Sequence, residues 1–577
     1  MTGALFARAQ ALHQAGRLEE ARALYEQVLA AHPRHAEALH LLGYLWFQKG
    51  DPIRALDLIG RAIALQPANP GYRYNRALIL KETGRLEDAA ADFREVARLQ
   101  PADVDAWCDL GEALLALGRP EEALAAWDRA VALRPSPDLH ANRGVALRQS
   151  GRLDEALAAQ DRALALNSAD AETWSNRGNV LKDLGRLEEA LASIDRALSL
   201  NPRMSGALVN RANVLRDLAR LADALAGYDQ AIALEPAYPE AHHHRAVLMM
   251  DMQRPAEAIA GFDRALTLRR PYPEAEAARA MTLLLAGDFK RGWPAYERRL
   301  LFPPTAAQGC PPWLGDEPIA GKTVLVWAEQ GLGDTLQFCR YAPLLAAQGA
   351  RVVLQVQPPL LPLLRGLEGV EAVGTDSAPP PFDLHVPLMS LPLALGTRLD
   401  SLPLPAPLAP DPAKVAEWSD RLGPAQHKRV GLVWSGAPGH RNDRHRSLPL
   451  ARLLAALPPE FDYVSLQKEV RPADQATLDA QPEVRHFGAE LHDFADTAAL
   501  VSLMNVVVTV DTSLAHLAGA LAKDTRLLLA RIGQDWRWMT GRDDSPWYPS
   551  MRLYLQGEDC GWEGPLAAVA EDLAVLA

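Results

Sequence analysis

Three short clusters in the second half of the chain hold side chains whose types and spacing could do chemistry. In the first, the β-branched run Val506–Val510 stops at Asp511-Thr512-Ser513, and the helical pattern Leu514, Leu517, Ala518, Leu521 begins. A strand, a tight turn and a helix start, in that order, aim backbone N–H groups and the positive end of a helix dipole at whatever lies above the strand. That arrangement suits an anion. Thr512 and Ser513 add hydroxyls, and His516 lies one turn on, facing the same way. A histidine that only packs the helix is the alternative. Asp511 would repel a phosphate and is expected to fix the turn.

The second cluster, Gly331-Leu332-Gly333-Asp334, follows the strand pattern Thr323–Ala328. Its glycines permit a tight turn with close backbone approach. Asp334 reads as a helix cap or as a general base for a hydroxyl, and the two roles are compatible. The third cluster follows Trp434-Ser435-Gly436 and contains His440, Arg441, Arg444, His445 and Arg446. Guanidinium groups suit a diphosphate or carboxylate bidentately, although a basic run also reads as a solvated loop. Asp334 and His516 are the candidate catalytic residues, and the glycines, Ser435, the arginines, Thr512 and Ser513 are candidates for donor binding. The aromatic segment Asp535–Pro549 could stack on a sugar or base but is expected to pack between lobes. No Asp-x-Asp motif lies in 321–577, so no metal is expected, and no cofactor beyond a co-substrate.

These clusters need a scaffold that brings strand ends together. Strand patterns at Thr323–Ala328, Arg351–Val356 and Phe382–Val386 alternate with helical stretches at Thr335–Ala347 and Pro358–Leu367. A second alternating series runs through Arg429–Trp434, Tyr463–Leu466, Val484–Phe487, Val506–Val510 and Thr525–Leu529. Alternation predicts parallel βαβ units, hence two Rossmann-like lobes, 321–410 and 411–577, with a cleft at the carboxyl ends of their sheets. The glycine loops are not GxGxxG, so no dinucleotide is indicated.

The first half is repetitive. Gly16, Gly50, Gly84, Gly118, Gly151, Gly185 and Gly287 recur in steps of 34 with one of 33, and Ala219 and Gln253 fill the two missing slots. An alanine follows each of the first eight slots five residues on, and prolines such as Pro33, Pro67 and Pro101 close most repeats. A small residue lets two antiparallel helices turn closely, and proline ends the second helix. The repeats fill residues 1–300, eight full ones and a degenerate ninth. Trp293 and Tyr296 are expected to cap the last pair, and 301–320 to be a linker. Asn75, Asp109, Asn142, Asn176, Asn210 and His244 share one repeat position. A file of amides can hold an extended peptide backbone with little regard to its sequence, or it can bridge neighbouring helices.

A length of 577 residues implies several domains. The net charge of −12 argues against nucleic-acid or anionic-membrane partners. The four cysteines form no CxxC pair, so neither a zinc site nor a disulfide framework is suggested. No apolar run reaches bilayer length and the N-terminus lacks a signal-peptide layout, so a cytoplasmic protein without membrane insertion is expected.

The 34-residue period, with Trp107-x-x-Leu110-Gly111, resembles the tetratricopeptide (TPR) family, which implies an α-solenoid with a binding groove. The amide file resembles the asparagine ladder of the nucleocytoplasmic O-GlcNAc transferases. Gly333-Asp334 and Asp511-Thr512-x-x-x-His516 resemble the bacterial heptosyltransferases, which implies a GT-B fold, Asp334 as base and a nucleotide diphosphate at Thr512–His516. Ser513 stands where that family commonly has glycine, and arginines where it places lysine. Both halves together resemble bacterial TPR–glycosyltransferases, including those that modify flagellin. That resemblance implies metal-independent transfer from a nucleotide sugar, such as a CMP-nonulosonic acid, to Ser or Thr of a groove-bound protein. The alternatives are a TPR scaffold with an inactive transferase-like half, and a heptosyltransferase-like enzyme acting on a glycolipid.

Overall fold

The repeat pattern becomes eighteen helices in chain order among the residues described, which are 2–299, 304–406, 408–440 and 442–576 of a computed structural model. Through the first seventeen, thirteen-residue first helices alternate with fourteen-residue second helices, as in Ala171–Asp183 and Leu187–Leu200, and the last, Phe289–Tyr296, has eight residues. Asp51, Asn69, Asp103, Ser136 and Asp170 cap helix starts with their side chains, and proline occupies the first turn at Pro52, Pro70, Pro120 and Pro137. Each slot at the turn is left-handed, including Ala219 at φ 61° and Gln253 at φ 60°. The chain therefore keeps the turn where it has lost the glycine.

A second glycine position sets how closely paired helices approach. A Cβ on Gly43, Gly111, Gly144 or Gly178 would lie 2.4–2.7 Å from the side chain of Ile59, Trp127, Gln160 or Ile194, each on the partner helix. Ion pairs tie consecutive repeats. Arg143, Arg177 and Arg211, each following a file residue, bond Asp128, Asp161 and Asp195 of the preceding helix at 2.6–2.7 Å.

Met1–Leu218 and Ala219–Ala577 form two compact units. Among its described residues, the second contains the last five repeat helices, from Leu221–Leu234 to Phe289–Tyr296, and then ten strands in two parallel sheets. The first sheet has β1 (Thr323–Trp327), β2 (Arg351–Val356), β3 (Val370–Gly374) and β4 (Leu384–Pro387), in the order β3-β2-β1-β4. The second has β5 (Arg429–Val433), β6 (Asp462–Ser465), β7 (Arg485–His486), β8 (Val506–Val510), β9 (Thr525–Leu529) and β10 (Met551–Leu555). Its order is β10-β9-β8-β5-β6-β7. In both sheets the chain runs outward one way from the first strand and then returns to its other side. Each sheet thus has a topological switch point, at β1/β4 and at β5/β8.

One apolar core runs through this unit, from Ala280, Leu285 and Phe289 to Leu573, so the last repeat pair shares the core of the sheets. Trp293 is buried among Phe289, Phe338, Trp536 and Trp547, with ring centroids 5.1–6.5 Å away, and its Nε1 donates to the Thr397 carbonyl at 3.2 Å. The expected helix Thr335–Ala347 is instead Leu332–Phe338, a tighter turn at Cys339–Tyr341, and Ala342–Ala347. Pro343 explains the break, since proline suits only a first turn. β3 and β10 are strands beyond those expected.

Candidate active site

A cavity of about 700 Å³ lies where the loops after β1, β5, β6, β8 and β9 meet. Every one of these loops leaves the carboxyl end of its strand, and those after β1, β5 and β8 flank the two switch points, where open parallel sheets bind ligands. Gly331, Gly333, Asp334, Ser435, Gly436, Arg446, Thr512, Ser513 and His516 all line it. Arg444 is exposed and is not among the lining residues, and Arg441 lies outside the described residues.

The loop after β1 is pinned from the end of the last repeat helix. Arg299 bonds both carboxylate oxygens of Glu329 at 2.7 and 2.9 Å, together with Glu297 and Ser390, and Glu329 also accepts the Met389 N–H. Gln330 takes a left-handed turn, φ 60°. Asp334 then closes the first turn of Leu332–Phe338, its Oδ2 accepting the Gly331 N–H at 2.7 Å. Burial pushes its carboxyl above the ordinary aspartate value, against the pull of Arg537.

Gly333 brings this helix onto Ser513–Ala520. A Cβ there would meet His516 Cδ2 at 2.7 Å and Ser513 Cα at 3.4 Å. His516 is 7% exposed, stacks on Trp538 at 5.3 Å and meets the Tyr548 hydroxyl through Nδ1 at 3.1 Å. Burial, reinforced by Arg537, pushes its imidazole down to about 3, so it is neutral at physiological pH. It can pack, donate or accept a hydrogen bond, but it brings no positive charge. Thr512 caps the helix by accepting the Leu514 N–H at 3.3 Å, which leaves its own O–H free to donate.

The second lobe supplies donors. Arg446 lies against Gly436, where a Cβ would fall 2.4–2.8 Å from its guanidinium, and it donates to the Asp511 carbonyl at 2.8 Å. Arg471 bonds the Gly436 carbonyl, Asp443 and the Ser447 hydroxyl at 2.5–3.0 Å. Among the described residues, Ser435 Oγ, Arg446 Nε and Arg471 Nε are buried and find no hydrogen-bond partner. Unpaired donors of this kind are costly unless a ligand meets them. Asn442 ties this loop to the one after β9 through the carbonyls of Ile532 and Gly533. Asp511 also lines the cavity, and burial followed by the neighbouring Asp535 pushes its carboxyl upward.

Sequence reasoning missed Arg537, Arg471 and Lys468, which line the same cavity. The aromatic segment Asp535–Pro549 does pack, with Trp536, Trp538, Trp547 and Tyr548 buried. Arg537, however, is a buried cation bonded to Asp334, Asp535 and Gln337, 4.5 Å from the centre of the Trp536 ring. Against the cost of burial, Asp535 and Asp334 hold its pKa above the ordinary arginine value. An arginine between two tryptophans just after a strand was the available signal. For Lys468 and Arg471 the signal was their place after the strand pattern Tyr463–Leu466.

In the first unit, Asn75 lines a hollow of about 900 Å³ with Glu37, His40, Tyr74 and Asp105. Its amide donates to His40 Nε2 at 2.8 Å, and that of Asn210 to Ser175 Oγ at 3.3 Å, both one repeat back. Asp109 accepts from Tyr74 and Lys81. Asn142 and Asn176 are half-buried on their first helices. Among the described residues, no helix is long and apolar enough to cross a membrane.

A tetratricopeptide-repeat family model matches residues 6–70, 49–104, 74–136 and 108–171, and a second matches 171–204. Protein FlbA of Caulobacter vibrioides is 29% identical over 332 residues, 51% of this chain and 54% of FlbA. The TPR repeat-containing thioredoxin TTL4 of Arabidopsis thaliana is 39% identical over 94 residues, 16% of this chain and 14% of its own. Protein O-mannosyl-transferase TMTC1 of Homo sapiens is 29% identical over 137 residues, 23% of this chain and 16% of its own. The chain thus spans about half the length of FlbA and far less of the other two. Among solved structures, a tetratricopeptide repeat protein from Parabacteroides merdae covers 43% of this chain and 98% of its own, at 18% identity and TM-score 0.41. The chain is a TPR α-solenoid followed by an α/β region with two parallel sheets, consistent with a Rossmann-like GT-B domain.

Proposed function

We propose that this protein is a glycosyltransferase that moves a sugar from a nucleotide-sugar donor to a Ser or Thr hydroxyl of a polypeptide held by its repeats, with flagellin a candidate acceptor. The observation that carries this reading is a single cavity at two switch points that is lined both by a fixed carboxylate, Asp334, and by the unpaired donors of Ser435, Arg446 and Arg471. The relative named as an O-mannosyl-transferase adds support, and TPR arrays commonly bind protein partners through their grooves.

In the proposed step Asp334 takes the hydroxyl proton as the acceptor oxygen bonds to the anomeric carbon. The bond from that carbon to the phosphate oxygen breaks, and its electron pair leaves with the phosphate. Arg446, Arg471, the Ser435 hydroxyl and the Thr512–Ser513 turn meet the departing charge. His516 donates Nε2–H when Tyr548, kept as a phenol by burial, donates to Nδ1. The step uses no bound metal. An arginine-rich cradle suits a donor with one phosphate and one carboxylate, as in a CMP-nonulosonic acid. Asn75, Asn142, Asn176 and Asn210 are the proposed acceptor contacts; Asn75 and Asn210 each use one amide N–H on a neighbouring repeat and keep an amide oxygen for a peptide N–H.

Asp334→Asn should lower transfer by roughly 10²–10⁴-fold while leaving nucleotide binding, titrated across CMP, CDP, UDP, GDP and ADP, unchanged. Undiminished transfer by this variant would overturn the assignment of Asp334. A wild-type chain that binds none of the nucleotides would favour a scaffold.

A further inference from the structure

We infer that Arg537 is the positioning residue that keeps Asp334 charged and aimed, so that the working base is the Asp334–Arg537 pair. The inference rests on the transferase reading of the cavity and extends it to a residue outside the motifs that suggested it.

The geometry of the pair is over-determined. Each oxygen of Asp334 has one donor, the Gly331 N–H on Oδ2 and Arg537 Nη2 on Oδ1. Each oxygen keeps a second lone pair for an incoming hydroxyl. Arg537 is fixed in turn. Its Nη1 bonds both oxygens of Asp535 at 2.9 and 3.0 Å, its Nε bonds Gln337 Oε1, and its plane lies near the rings of Trp536 and Phe338, 4.5 and 5.6 Å from their centres. A guanidinium with every branch engaged cannot swing, so it holds the carboxylate in one orientation.

The charges around Asp334 assign Arg537 its task. Asp535, on the same loop as Arg537, and Glu329, on the loop after β1, both oppose ionisation of Asp334, as burial does. Glu329 is already paired with Arg299. Tyr296, from the last repeat helix, is pushed up by burial and stays a phenol, and His516 is neutral. Asp511, after β8, is pushed up in its own right. Arg537 is the one cation bonded to Asp334 among the described residues. Removing it would leave a buried carboxyl next to Asp535 and Glu329, and such a carboxyl takes up a proton. A protonated Asp334 cannot accept the hydroxyl proton.

The test is the pH dependence of kcat/KM for the full chain, as wild type, Arg537→Lys and Arg537→Ala, the last with and without millimolar guanidinium ion. The acid limb of Arg537→Ala should move to higher pH by about 1–3 units, with kcat at neutral pH down about 100-fold. Its KM for the nucleotide sugar should stay within about threefold, since the donor cradle is built from other residues. Guanidinium ion should restore both limb and rate. Arg537→Lys keeps the charge but not the fork, so its limb should stay put while kcat falls. A folded Arg537→Ala with the wild-type limb would overturn the inference, and so would a loss confined to KM. If Arg537→Ala does not fold, Arg537→Lys with an unchanged kcat would overturn it. Infrared difference spectra of each protein against its Asp334→Asn counterpart separate the two readings. Absence of transfer by wild type sinks the transferase reading and the inference with it, whereas a wild type that transfers and an Arg537→Ala whose Asp334 is equally ionised at pH 7 sink the Arg537 inference alone.

Discussion

Single atoms decide whether the cavity can hold an anion. Arg446 reaches its position because Gly436 has no Cβ. In Gly436→Ala the guanidinium tip must move while the fold need not, so the melting temperature should hold. Loss of one charge-assisted bond, worth about 1.5–3 kcal/mol, should weaken nucleotide binding roughly 10–100-fold in a calorimetric titration. Unchanged affinity would remove Arg446 from the site. In the first unit, His40 is buried, and burial holds its pKa down to about 4 from 6.5. Between those values the unfolded chain binds a proton that the folded chain refuses. This contribution to stability is therefore complete above about pH 6.5 and is lost as pH falls toward 4. The urea midpoint should drop between pH 7 and 4.5, and His40→Gln should flatten that drop. The motif residues Gly333, Asp334, Ser435, Gly436, Arg446, Thr512, Ser513 and His516 were legible because strand–turn–glycine patterns put them at strand ends. Arg537 was not, because its significance lies in a contact with a residue two hundred positions earlier in the chain.

Helices and strands owe their register to different devices. Within a repeat, Gly178 receives Ile194 so closely that a Cβ would lie 2.4 Å from Cγ1. Gly178→Ala should therefore cost about 1–3 kcal/mol through overpacking. Asp195→Asn, which breaks the exposed pair with Arg211, should cost under about 1 kcal/mol. Urea melts of the two variants check the order, and a neutral Gly178→Ala would contradict the close helix packing. The repeat was legible because its period recurs in phase, so each weak signal was read several times over. The strands rich in valine were legible too. β10 was not, since Met551-Arg-Leu-Tyr-Leu555 has no β-branched residue and is strand through pairing with β9.

At the scale of the whole chain, sequence periodicity and compactness divide the protein differently. The period fades near residue 300, whereas the chain divides into compact units after Leu218. Phe289 and Trp293 belong to the core that includes Phe338, Trp536 and Trp547. A fragment 219–577 should therefore be monodisperse and bind nucleotide, while one beginning at 321 should aggregate, its aromatic core uncovered; size-exclusion chromatography distinguishes them. Periodicity reports local sequence and is blind to which neighbour finally buries a face. The central claim, that a nucleotide sugar is spent on a polypeptide, is tested most directly by the intact mass of a candidate acceptor such as flagellin, co-expressed with this protein. Wild type should add whole sugar masses to the acceptor and Asp334→Asn should add none. An acceptor whose mass is the same with and without the wild-type protein, or that is modified equally by Asp334→Asn, would contradict the account.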